Sequence, residues 1–194
     1  MLCGSFKTDK FFSRRSDGTG TVSAEQSLIP GEIQPDELFQ IQMKLNLGAC
    51  DRKFPDYLSV DMCPPADVVT DLSQKWPWAD STVEAVKAFD IIEHIEDKIH
   101  FMNELHRVLT PGGRAEIEVP SASKGAGAFQ DPNHKSYWTM NSFQYFQAGS
   151  NAVKRFAKSY GISARFKIVG LSERQYQDVK EPVWKIMAVL EAVK

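Results

Sequence analysis

Two apolar bursts, Leu45-Asn46-Leu47 and Tyr57-Leu58-Ser59-Val60, end at Gly48 and Asp61, with only about eight residues between them. Short apolar runs closed by a glycine or an aspartate read as buried strands. Consecutive parallel strands ordinarily need ~12 or more intervening residues, usually a helix. The spacing therefore leaves room only for an extended loop. Val68-Val69 reads as a third strand after an even shorter gap, about five residues. Either the crossovers are stripped to loops and single turns, or one strand assignment fails. If they are stripped, part of one sheet face lacks its usual helix, and the N-terminal arm or a second subunit is the expected cover.

Downstream, the alternation of strand and helix continues. VEAVKAFD, residues 83 to 90, reads as a fourth strand. Ile99, Met102, Leu105 and Leu109 then fall at helical spacing, with Asp97 as the cap and Pro111-Gly112-Gly113 as the stop. RAEIEVP, Arg114 to Pro120, alternates into a fifth strand, and TMNSFQYF and NAVKRFAKSYG read as helix, the latter ended by Gly161. Two final strands, Ser163 to Leu171 and Val183 to Val193, are joined by a connection too short for a helical crossover, so this pair is expected to be antiparallel. The pattern predicts an α/β three-layer sheet.

A chain of 194 residues suffices for one well-cored domain, and 12 Phe and 4 Trp supply ample core. Residues 1–35 are polar and charged without apolar period, an arm that is disordered or partner-bound; residues 36–194 form the domain, and Pro35-Asp36-Glu37 suggests a short helix leading into it. A net charge of −2 gives no global pull toward nucleic acid or an anionic membrane. No stretch reaches the ~20 apolar residues that span a bilayer. Cys3, Cys50 and Cys63 cannot all pair, and no secretion signal opens the chain, so a reducing, cytoplasmic setting is expected. A homo-oligomer, or a partner protein touching the arm, is the expected assembly.

In open α/β sheets, ligands bind outside the carboxyl ends of the strands, where strand order reverses. That rule selects Gly48 to Arg52, Asp61, Asp71-Leu72 and Phe89 to His94. Gly48 lets backbone approach a ligand closely; Asp61 can accept hydrogen bonds from a ribose diol; Asp71 is placed to accept from an adenine amino group. Taken singly, each aspartate also fits a turn or cap; their joint order favours a nucleotide-like ligand. A nicotinamide site would carry G-x-G-x-x-G and an acid ~20 residues later, whereas here one glycine precedes Asp61 by 13 positions. A P-loop is absent.

LNLGAC (Leu45 to Cys50), DYLSVD (Asp56 to Asp61), TDL (Thr70 to Leu72), KWPWADSTVEAV, IIEHIED (Ile91 to Asp97), RVLTPGG (Arg107 to Gly113) and DPNHKSYW (Asp131 to Trp138) follow one another in unbroken order. In this order the chain resembles the class I S-adenosylmethionine-dependent methyltransferases, particularly the small branch called type 11-like. The resemblance implies a Rossmann-like fold with a seven-stranded, mostly parallel sheet, an antiparallel closing strand and abbreviated crossovers. It implies S-adenosylmethionine as cofactor, held by Gly48, Ala49 and Cys50 at its amino acid part, by Asp61 and Met62 at the ribose, and by Asp71 and Leu72 at the adenine. Phe89 and Asp90 would lie near the methionine moiety. Methyl transfer to an unidentified acceptor is the function implied. Where the family carries two further glycines, this chain has Cys50 and Asp56, so the second reading is a non-catalytic binding or structural subunit with a drifted cofactor loop.

For the acceptor side, Asp131, His134 and His94 are the candidate catalytic residues. Asp131-Pro132-Asn133-His134 sets an acid and an imidazole in a turn beyond the fifth strand, whereas Glu93 and His94 also fit a helix cap. No metal site is expected. His94, His100 and His106 recur every six residues, about 240° apart on a helix, and Cys50 and Cys63 lack C-x-x-C spacing.

Overall fold

Seven strands, β1 (Met43–Leu47), β2 (Leu58–Asp61), β3 (Val68–Val69), β4 (Val83–Phe89), β5 (Leu109–Pro120), β6 (Phe166–Tyr176) and β7 (Val183–Ala192), pair into one sheet. The spatial order is β3-β2-β1-β4-β5-β7-β6. Pairing is parallel from β3 through β5, and β7 runs antiparallel to both β5 and β6. The computed structural model describes residues 43–176 and 183–194. The arm at 1–35, its boundary with the domain, the helix expected after Pro35 and the arm's role as a cover lie outside the described residues.

Both short crossovers are real. Leu45 pairs with Leu58 and Val60 with Val68, so β1, β2 and β3 are parallel neighbours. No helix intervenes between β1 and β4. Strand alternation shows the consequence. Leu45, Leu47, Val86, Ala88, Ala115, Ile117, Ile186 and Leu190 share one core with Phe101, Met102, Leu105 and Val108 of α1 (Lys98–Val108) and with Val153 and Ala157 of α2 (Asn151–Tyr160). The alternate residues of β4, β5 and β7 face the other way, among them the charged Lys87, Arg114, Glu116, Glu118, Lys185 and Glu191 beside Phe89, Met187 and Val189.

Among the described residues, both long helices pack on one face of the sheet; the helix expected after Pro35 lies outside them. Cross-strand ion pairs dress the opposite face. Lys87 meets Glu116 at 2.7 Å, Lys185 meets Glu118 at 2.7 Å, and Arg114 meets Glu191 at 3.3 Å. Such pairs contribute ~0.2–1 kcal/mol each. Where the β1–β2 loop crosses this face, its aromatics substitute for a helix. The Nζ of Lys87 lies 5.2 Å from the Phe54 ring, 5.3 Å from Tyr57 and 5.4 Å from Phe89, an arrangement that solvates a cation with ring faces.

The helix-free segment between β3 and β4 is tied down by α1 instead. The Glu104 carboxylate accepts the Trp76 backbone N–H at 2.7 Å. Arg107 donates to Glu104, to the Trp76 and Trp78 carbonyls and to Asp80. With its polar groups satisfied, this segment buries Trp76 and Trp78 against Phe101 and the core.

Several expected boundaries shift. Asp97 caps α1, accepting from the backbone N–H of Ile99 and His100, but the helix ends at Val108, before the Pro111-Gly112-Gly113 stop. Leu109 is fully buried, already extended, and opposite Val83, so β5 starts there and runs through the glycines. TMNSFQYF forms a six-residue 3-10 helix, Met140–Tyr145, held by a reciprocal cap between Thr139 and Ser142. Gly161 ends α2 in the left-handed region, φ 72°. β6 begins at Phe166 rather than Ser163 and continues to Tyr176, because pairing with β7 extends to Val183.

Candidate functional site

Gly48 leaves β1 with φ 63°, and a Cβ there would stand 2.6 Å from the Ile91 Cβ. The position accepts glycine alone, on both conformational and steric grounds. Cys50 follows at φ 46°, and Asp56, later in the same loop, sits at φ 65°. Both places where the resembling family has glycine are thus in the left-handed region, where an ordinary L-residue is disfavoured by ~1–2 kcal/mol.

The loop holds this shape through Asp61. One carboxylate oxygen accepts the Cys50 backbone N–H at 2.9 Å and the other accepts that of Cys63 at 3.3 Å. Ala49 N–H donates to the Val60 carbonyl and the Asn46 side chain donates to the Arg52 carbonyl, so the loop is stitched to the ends of β1 and β2. Two cavities adjoin it. One of about 370 Å³ is lined by Cys50, Asp51, Lys53, Asp61, Cys63 and Pro64; a smaller one, about 150 Å³, joins Gly48 to Cys50 with Phe89 and Asp90. Their combined extent suits a small organic ligand. A larger cavity, about 500 Å³, lies around Glu84 and Thr110 to Arg114, at the amino ends of β4 and β5 and so at the far end of the sheet.

The other expected cofactor contacts fall as follows. Met62 is two-thirds exposed beside Asp61. Asp71 accepts from both the hydroxyl and the backbone N–H of Ser73, and these bonds hold its carboxyl below the usual range. Leu72 is buried, its carbonyl accepting from the Trp76 indole at 3.0 Å. Phe89 turns its ring to Phe54 and Lys87 on the charged face. Asp90, at φ 55°, accepts from Lys185 at 2.6 Å, and Lys185 also reaches Glu118, which takes the Tyr176 hydroxyl. Burial pulls the Lys185 ammonium down, but its two carboxylate partners outweigh this and raise it. Lys185, which anchors the Asp90 turn from a distant strand, carried no signal in the sequence.

A second group of residues meets beside Asp90. Glu93 and His94 stand in a 3-10 turn, Ile92–His94, and cap nothing; the cap of α1 is Asp97, which corrects the capping reading. The loop bearing Asp131 and His134 docks onto this turn. Backbone N–H groups of Lys135 and Ser136 donate to the Glu93 carbonyl, and the Ser136 hydroxyl donates to that of Ile92. The rings of His94 and His134 come to 5.0 Å, edge to face. Asp131 turns one oxygen to the Asn133 N–H and brings the other to 3.9 Å from His134 Nε2. All three expected catalytic residues are therefore brought together.

The member missed from sequence is Glu93. It is 2% exposed, its Oε1 is 3.9 Å from His134 Nε2, and its Oε2 has no hydrogen-bond partner. Burial pushes its carboxyl up to about 8, with further upward pressure from Asp90 and Glu118. Its place next to His94 in IIEHIED was the available signal. Among the described residues, no helix is long and apolar enough to cross a membrane.

The sheet order and the Gly48–Asp61 loop pair define a Rossmann-like methyltransferase fold, and residues 46–117 match a family model described as a methyltransferase domain. The match covers the strands and loops from β1 to the middle of β5 and makes this part of the chain similar to methyltransferase domains. Its sequence is 24% identical over 168 residues to a demethylmenaquinone methyltransferase of Chlorobaculum tepidum, an alignment covering 82% of this chain. The chain spans 64% of the length of that curated relative. An S-adenosylmethionine-dependent methyltransferase of Methanosarcina mazei shares the fold at TM-score 0.55 and 11% identity, covering 78% of this chain and 92% of that one. A Burkholderia thailandensis 1,6-didemethyltoxoflavin-N1-methyltransferase, solved with bound 1,6-didemethyltoxoflavin and S-adenosylhomocysteine, does so at TM-score 0.52 and 13% identity, covering 78% of this chain and 71% of that one.

Proposed function

We propose that this chain binds S-adenosylmethionine across the Gly48–Arg52 loop and the Asp61 turn and transfers its methyl group to an acceptor seated beside Asp131, His134 and His94. The observation that carries the reading is the Cys50 N–H to Asp61 bond at 2.9 Å, which makes the two expected cofactor loops one preorganised unit. Gly48, pressed against Ile91, leaves a backbone surface with no side chain in the way of a ligand.

When bound, S-adenosylmethionine supplies a methyl group on a sulfonium, so much of the rate can come from holding the partners in line. The acceptor wall has suitable chemistry. His134 Nδ1 faces the Ala128 carbonyl at 2.7 Å and must donate to it, so in the neutral ring the lone pair sits on Nε2. That nitrogen is a neutral base for an acceptor that loses a proton.

Calorimetric titration with S-adenosylmethionine and S-adenosylhomocysteine, wild type beside Asp61→Ala, tests the reading. Binding to wild type that is lost in the variant is expected. No heat at millimolar ligand would sink it in favour of a non-catalytic subunit.

A further inference from the structure

We propose that Glu93, His94 and His134 form a binding site for a divalent first-row transition-metal ion. Each offers one ligand atom, and these atoms lie within 4.8 Å of one another. The ligand set is two imidazoles and one carboxylate, which suits zinc or iron(II). The inference goes beyond the methyl-transfer reading, because a bound ion would take the His134 Nε2 offered there as a base, and it is tested by ion binding alone.

Three features mark this as a built site. First, both imidazoles are oriented by their other nitrogen. His134 Nδ1 faces the Ala128 carbonyl at 2.7 Å and His94 Nδ1 faces the Asn133 carbonyl at 3.3 Å. A carbonyl only accepts, so each Nδ1 carries the proton and each Nε2 keeps its lone pair, the arrangement that metal-bound histidines show. Second, Glu93 is buried against them with Oε2 unpartnered. A buried carboxylate oxygen without a donor is costly, and a cation supplies what the protein does not. Third, the two contributing segments are locked together by the Lys135 and Ser136 bonds to the Glu93 carbonyl, so the histidines come from separate stretches onto one fixed backbone platform.

Tetrahedral bonds of ~2.1 Å hold ligand atoms ~3.4 Å apart. Closure thus asks for side-chain rotation, which His94, half-exposed, has room to make. Asp131 Oδ2, 3.9 Å from His134 Nε2, is within similar reach as a fourth ligand. A coordinated Nε2 has no lone pair for a proton, so ion binding and the base role of His134 exclude one another.

The full chain, stripped with a chelator, is titrated with Zn(II) by calorimetry and with Co(II) by visible absorption. One equivalent should bind, and Co(II) should show ligand-field bands without thiolate charge transfer. Glu93→Gln and His134→Gln should each weaken binding by at least ~10-fold, the lower range for disturbing even the surroundings of a metal ligand. A Cys3→Ser, Cys50→Ser, Cys63→Ser variant should bind as wild type. Circular dichroism checks folding, and His94→Gln serves if either variant fails to fold. Absence of stoichiometric binding, unchanged affinity in the ligand variants, or loss in the cysteine variant would overturn the proposal. Loss of S-adenosylhomocysteine binding with ion binding intact would instead count against the methyl-transfer reading alone.

Discussion

Asp61 accepts the backbone N–H of Cys50 across eleven positions of chain, at 2.9 Å, and so pins a cysteine at φ 46°. The strand-ending aspartate thereby holds the loop in a backbone shape that Cys50 alone disfavours.

Two substitutions in this loop should move stability in opposite directions. Cys50→Gly relieves a left-handed residue, worth ~1–2 kcal/mol, but frees the unfolded chain by ~0.5–1 kcal/mol. A net gain of up to ~1.5 kcal/mol is expected. Gly48→Ala combines φ 63° with a 2.6 Å approach to Ile91 and should lose at least ~2 kcal/mol. Urea denaturation measures both; a stabilised Gly48→Ala would refute the tight approach.

Glu104 should make the fold acid-sensitive. The Arg107 hydrogen bonds, aided by the Trp76 N–H, hold its carboxyl below its ordinary value of 4.5. A depressed folded value means the unfolded chain binds the proton more readily. The contribution is therefore fully present above about pH 4.5 and is lost as pH falls through the lower folded value. Glu104→Gln should cost about 2 kcal/mol at pH 7, with the gap from wild type closing in acid. Parallel stability curves from pH 7 down to acid unfolding would contradict this.

Lys185→Met should loosen the Asp90 turn. Removing the ammonium leaves Asp90 and the largely buried Glu118 without their shared cation, and breaking such a partly buried pair costs ~3 kcal/mol. Thermal unfolding should shift down, with Lys185→Met, Glu118→Leu partly restoring it. A double variant no more stable than the single would show that the pairing contributes nothing.

Features set by short-range chemistry were legible in the sequence. Gly48 and Asp61 mark strand ends, Asp97 is a cap and Gly161 a stop, and each does that work locally. Features set by partners far along the chain were not. Pro111-Gly112-Gly113 looks like a helix terminator, yet Leu109 leaves the helix earlier to pair with Val83. The short crossovers signalled that no helix fits between β1 and β3, but that Lys87 and Glu116 would meet across strands depends on a register that periodicity does not specify. Likewise Glu93 and His134 lie far apart in sequence, and only docking of the 131–136 loop makes the glutamate buried and its neighbours histidines.

The central claim is that ligand binds at the carboxyl ends of the strands, over Gly48 and Asp61. Amide hydrogen exchange with and without S-adenosylhomocysteine tests it most directly, because a cavity larger than either beside Gly48, about 500 Å³, lies at the opposite end of the sheet. Protection gained at residues 48–52 and 61–63, with residues 110–114 unchanged, is the predicted result. Protection at 110–114 with none at the Gly48 loop would contradict the account.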